Sequence, residues 1–133
     1  MSDYESYTLP KEERIFSQRV LDMLFSKRNN SFFIFPLRVV YTPIDELLNT
    51  RVAILTSVSK RHFKRAVKRN RIKRQIREAY RTQKHIVLDE LIQSETDTRY
   101  AVAFLYQSDR EISSEKMHEA MQACLERLHK EWQ

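Results

Sequence analysis

The 133-residue sequence contains no glycine, one cysteine and three prolines. Each shortage excludes something. Without glycine there is no glycine-rich phosphate loop of the nucleotidase, kinase or dinucleotide type, because in those loops a Cβ would block the approach of backbone N–H groups to phosphate. Turns must rely on Asn, Asp, Ser and the prolines. Cys124 alone cannot form an intramolecular disulfide. With no paired cysteines and no legible secretory leader, a reducing cytoplasm is the expected setting. No apolar run approaches the ~20 residues needed to span a bilayer, so no membrane role is expected. Acid is also scarce, but only locally. Lys60–Lys84 holds twelve Lys or Arg and one acid, Glu78, whereas the rest of the chain holds twelve bases and seventeen acids. The formal charge of +6 hides this split. Such polarity predicts a polyanionic partner and says little about fold.

Apolar residues recur along the whole chain at 41%, which argues against global disorder despite 32% charged residues. The length suits a single domain over 1–133, with the polar stretch 1–9 expected to fray. Pro10, Glu12 and Glu13 suit a helix start, and Phe16, Val20, Met23 and Leu24 follow a helical period, which predicts a helix over 10–27. Leu21 and Phe25 form a second apolar stripe on nearly the opposite side, which the first face cannot bury. After a turn at 28–31, Phe32, Phe33 and Phe35 lead to Pro36. The run 37–42 reads as a strand with Leu37, Val39 and Tyr41 on one face, and 43–50 as a loop. The clearest strand is 51–59. A second apolar strand, expected to be central, spans 99–107. A last helix capped by Ser113 or Ser114 buries Met117, Met121, Cys124, Leu125, Leu128 and Trp132. Helical spacing persists from the basic segment through Leu88, Leu91 and Ile92. The helical crossover between 51–59 and 99–107 permits those strands to be parallel. The expected fold is an α/β sandwich with a small mixed sheet.

Within the basic segment, Ile72, Ile76 and Tyr80 fall at a spacing of four. On a helical projection Ile76, Ala79 and Tyr80 lie within about 80° of Ile72, while Asn70, Arg74, Arg77 and Arg81 gather on the far side. A disordered tail has no need of that apolar stripe. A merely solvated face usually alternates its charges so that pairs form. Here Lys73 with Arg77, Arg74 with Arg77, and Arg77 with Arg81 are like-charge neighbours at i+3 or i+4, each pair costing a few tenths of a kcal/mol. Closely spaced phosphates offset that repulsion. Arginine can grip a phosphate with two hydrogen bonds and stack on a base, and Asn70 can both donate and accept. Binding should weaken steeply with salt.

The string "SVSKRHFKRAVKRNRIKRQIREAYR" (Ser57–Arg81) resembles the signature of the bacterial ribonuclease P protein family, in which a strand ending S-V-S-K passes through a basic loop into an R-N-R-x-K-R helix. The resemblance implies an α-β-β-β-α-β-α order with a left-handed crossover, as in the second domain of ribosomal protein S5. It implies a monomer that joins one catalytic RNA, binds precursor tRNA, and assists removal of the 5′ leader by magnesium ions held mainly by the RNA. Carried over by position, Arg69, Asn70, Arg71, Lys73, Arg74 and Arg77 match the RNA-facing motif, with Lys68 and Arg81 beside them. Lys60, Arg61, Lys64 and Arg65 match the basic loop. Leu21 and Phe25 match a cleft for the single-stranded leader, with Tyr41 a further candidate. The rival for Phe25 is a core position between helix and sheet. Two departures stand out. Val52–Leu55 and His62–Phe63 occupy regions where the family commonly carries glycine, and His85–Thr98 is longer and more helical than the family pattern.

No catalytic residue or protein metal site is expected. His62, His85, His118 and His129 are scattered without ligand spacing. Asp45–Glu46 and Asp89–Glu90 read as surface acids, whereas a two-metal nuclease projects its carboxylates from core strands. Cys124 reads as a small core residue. A general RNA-binding protein and a self-sufficient nuclease are the rival functions.

Overall fold

The computed structural model describes residues 18–26, 29–44, 51–94 and 97–133. Its elements are α1 (Gln18–Leu24), β1 (Asn30–Ile34), β2 (Leu37–Ile44), β3 (Val52–Val58), α2 (Ala66–Gln83), α3 (His85–Gln93), β4 (Arg99–Tyr106) and α4 (Ser114–Glu131). The four strands form one mixed sheet in the order β1-β2-β4-β3. β1 with β2 and β2 with β4 run antiparallel, while β3 and β4 run parallel. The parallel pair is possible because α2 and α3 carry the chain back between them.

β4 lies between β2 and β3, and Ala101–Phe104 are fully buried. Its unbroken apolar run follows from burial on both faces. One face of the sheet carries Leu37, Val39, Tyr41, Val52, Ile54, Val102 and Phe104, packed against Ile72, Ile76 and Tyr80 of α2 and Met117, Met121, Cys124, Leu125 and Leu128 of α4. Among the described residues the other face is thinner. There Val40, Ile44, Ala53, Ala101 and Ala103 meet Val20 and Leu24 of α1. α4 begins where Ser113 Oγ accepts from the Lys116 backbone N–H at 3.1 Å, and it ends with His129 and Lys130, both favourable at their end of the helix dipole.

Four details differ from the sequence reading, the first being that Asn30 and Ser31, expected in a turn, open β1. Pro43 and Ile44 complete β2 instead of opening a loop. β1 stops at Asn30, opposite Tyr41, so among the described residues Pro43 has no partner strand on that flank of β2 and needs no N–H there. The expected long crossover helix is divided at Lys84, which adds α3 to the predicted order. A straight helix over 66–93 would run about 42 Å. The seven residues of β3 span only about 23 Å, so the chain must turn back to keep Val87, Leu88 and Leu91 on the core. Of the helix expected over 10–27, the described part of α1 begins at Gln18; Phe16 and stretch 1–9 lie outside the described residues, as do Asp45 and Glu46. Met23, expected in the buried stripe, is 37% exposed.

Candidate nucleic-acid interface

The basic surface is oriented from behind. Ile72 and Ile76 are fully buried, and the Tyr80 ring packs 6.0 Å from that of Phe104. Gln83 Nε2 donates to the carbonyls of Ala79 and His118 at 3.1 and 3.0 Å. With that side fixed, Asn70, Arg71 and Arg74 are exposed and Lys73 is half-buried. The loop before α2 turns without glycine. The Ser59 carbonyl accepts from the N–H groups of His62 and Phe63, and Ser59 Oγ accepts from that of Arg61 at 3.0 Å. Phe63 anchors the loop, buried 6.0 Å from the ring of Tyr106. Lys60, Arg61, Lys64, Arg65 and Lys68 are consequently exposed.

Two groups of bases emerge. The side chains of Lys60, Arg61, Lys64, Arg65, Lys68, Asn70, Lys73 and Arg74 make no hydrogen bond or ion pair among the described residues. The second group is engaged. Arg69 Nη1 donates to the carbonyls of Phe63 and Lys64, both at 2.8 Å. Arg69 thus braces the basic loop, an inward bond that its place nearer the dry side of α2 explains. Arg71 lies 3.5 Å from Glu111 and stays mostly exposed. Arg77 Nη1 donates to Thr56 Oγ1 at 3.3 Å. Arg81 Nε donates to Glu78 Oε2 at 3.0 Å, and this hydrogen bond holds the Glu78 carboxyl below the ordinary carboxylate range.

α2 opens without a side-chain cap and without an acid in its first turn. Cations there oppose the positive end of the helix dipole, the reverse of what stabilises an isolated helix. An anion at this end would relieve both the dipole and the like-charge crowding.

The second region is the thin sheet face. Leu21 is half-buried beside Val20 and Leu24, while Phe25 is 52% exposed and therefore not a core ring. Ala53, Ala101 and Ala103 give this face a shallow floor. Tyr41 does not belong to it. Side chains alternate along a strand, and since Val40 and Ile44 face α1, Tyr41 faces α4. Its ring lies 5.8 Å from that of Trp132, and its hydroxyl donates to the Glu131 carboxylate. The expectation that Tyr41 lines the same cleft as Leu21 and Phe25 is corrected accordingly.

The sequence reading missed Phe33 and Phe35, both exposed at the β1–β2 turn. Their signal was available: an alternating strand cannot bury both Phe32 and Phe33 on one face. Cys124 is fully buried, and burial pushes its thiol up to about 12, so it stays protonated and unreactive. Among the described residues no three His, Cys, Asp or Glu side chains gather as a metal-ligand set, and no helix is long and apolar enough to cross a membrane.

The fold and this surface define a class: a small α/β protein with a four-stranded mixed sheet that displays a cationic helix backed by its main core. The chain belongs to the ribonuclease P protein family, whose model, Ribonuclease P, matches residues 9–129. It is 37% identical over 128 residues to a Ribonuclease P protein component of Porphyromonas gingivalis, covering 96% of this chain and 91% of that one. The structure resembles the RNase P protein of Staphylococcus aureus, with TM-score 0.68, 20% identity, and coverage of 87% of this chain and 94% of that one. It also resembles that of Thermotoga maritima, with TM-score 0.66, 17% identity, and coverage of 86% and 96%.

Proposed function

We propose that this protein is the RNA-binding subunit of a ribonuclease P holoenzyme in the cytoplasm, one copy per catalytic RNA, and that it assists magnesium-dependent removal of the 5′ leader from precursor tRNA. The observation that carries the reading is the open row Lys68, Asn70, Lys73 and Arg74, with the loop bases beside it and no internal acid against any of them among the described residues. Their role is electrostatic and positional. They neutralise closely spaced phosphates of the folded RNA and release its counterions. Arg71 and Arg77 can exchange or share their internal contacts with phosphate, whereas Arg69 chiefly shapes the loop. The shallow region at Leu21 and Phe25 receives the single-stranded leader, where an exposed ring can stack on a base.

In this reading the magnesium ions are held mainly by the RNA. No step passes through a protein-held metal. The test is reconstitution with the cognate RNA at low magnesium. The protein alone should cleave nothing, and its addition should accelerate leader removal. Binding without acceleration would indicate a general RNA-binding protein, and cleavage without RNA a self-sufficient nuclease.

A further inference from the structure

One end of the sheet carries a strip that the basic helix does not account for. The register aligns Ile34 with Leu37, Leu37 with Tyr106 and Tyr106 with Val58, so all four strands end together there. At the β1 side, Phe33 and Phe35 are 45% and 60% exposed. Their rings meet edge to face at 6.4 Å. Arg38, opposite Phe33 on β2, holds its guanidinium 5.6 Å over that ring. Arg38 Nε also donates to Gln107 Oε1, just past β4, at 3.2 Å. At the β3 side a cavity of about 370 Å³ is lined by residues that include Ser57, Arg61, His62, Leu105 and Gln107. The sequence from rings to basic loop therefore crosses four strands, roughly 15 Å at about 4.8 Å per strand.

Phe33 and Arg38 occupy the same sheet face as Val40, Ala103 and Leu105, the face on which α1 packs. Burial by α1 is centred on Val40, Ile44, Ala53, Ala101 and Ala103. The Arg38 end continues that surface beyond it. Scattered exposed apolar residues are normal, but two adjoining exposed rings, one of them under a guanidinium, with a cavity edged by a basic loop across the same sheet end, are a specific combination. Flat rings beside a cation suit single-stranded nucleic acid, whose bases stack while its backbone is neutralised. No acid stands on any of the four strands to oppose it.

We propose that this strip is a second station for single-stranded RNA. Phe33 and Phe35 stack a base of the 5′ leader, Arg38 holds the phosphate beside it and Arg61 one a few nucleotides further along, at positions separate from the Leu21–Phe25 region. The inference rests on the leader-binding reading above and extends it to a longer stretch of leader.

The test uses the reconstituted holoenzyme and precursor tRNAs whose leaders are shortened stepwise from the 5′ end. Combined Phe33→Ala and Phe35→Ala should weaken binding of the longest-leader precursor about tenfold. The loss should vanish below a threshold leader length and for mature tRNA, with the salt slope unchanged. Arg38→Ala should lower that slope by about one. Phe33→Leu with Phe35→Leu, which keeps apolar bulk and removes the flat rings, repeats the measurement should the alanine pair fold poorly. Equal losses at every leader length, or no loss, would overturn the proposal. So would unchanged RNA binding with loss of self-association, which would assign the rings to a protein contact. If wild-type protein accelerates leader removal and Phe25→Ala impairs precursor binding while the ring variants do nothing, only this inference fails. If wild-type protein fails to accelerate leader removal, the functional reading beneath it fails as well.

Discussion

The two faces of the sheet are built differently. One is dense: α2 and α4 bury Phe104, Tyr80, Met117, Met121 and Leu125 against it. The other is thin among the described residues: its buried part under α1 rests on three alanines and a few aliphatic side chains, and Met23, Phe25 and Phe33 stay in solvent. The dense face supplies stability and, by fixing the rear of α2, turns Asn70 and Arg74 outward. The thin face gives up burial and keeps rings available.

The largest expected effect follows directly. Phe104→Ala on the dense face should destabilise the fold by about 3–5 kcal/mol. Leu24→Ala, equally buried but on the thin face, should fall near the low end of its class, about 2 kcal/mol, because few of the described residues share its cluster. Denaturant unfolding of both variants reads the difference. Equal losses would show that the thin face is as strongly coupled to the fold as the dense one.

The next effect probes what the thin face does. Under the proposed function, Phe25→Ala should weaken binding of precursor tRNA about tenfold, the magnitude of one lost base stack, while mature tRNA binding and thermal stability hardly change. Equilibrium binding to the holoenzyme measures it. A stability loss instead of a binding loss would return Phe25 to the core and erase the contrast between the faces.

How far the sequence foretold this contrast depends on the scale of the pattern. The central place of β4 was legible in its unbroken apolar run, and the two-sidedness of α2 in the spacing of Ile72, Ile76 and Tyr80, because both are local periodicities that tertiary packing obeys. The Ser113 cap and the α4 stripe were legible for the same reason. The break at Lys84 was not, since it depends on how long the sheet is. Tyr41 was misplaced because its strand was read without a register against α1, and a single residue changes the face. Arg71 finds Glu111 forty residues away, which no local pattern signals. The Arg81–Glu78 pair, three residues apart, could have been read from spacing alone.

The smallest expected effect concerns the cationic front that the dense face supports. Arg74 is exposed and unengaged among the described residues, whereas Arg81 already shares its guanidinium with Glu78. If both served RNA equally, their removal would be equivalent. The geometry says otherwise: Arg81 must leave or share a carboxylate before it can hold a phosphate. Arg74→Ala should therefore lower the salt slope of catalytic-RNA binding by about one, with a uniform loss of affinity and no change in melting. Arg81→Ala should lower it by less, because a guanidinium already paired with Glu78 holds less phosphate to begin with. Titration of RNA binding across ionic strength separates the two. Equal slopes would mean that the internal pair dissolves on binding, and that the free protein's division into open and engaged bases does not survive contact with RNA.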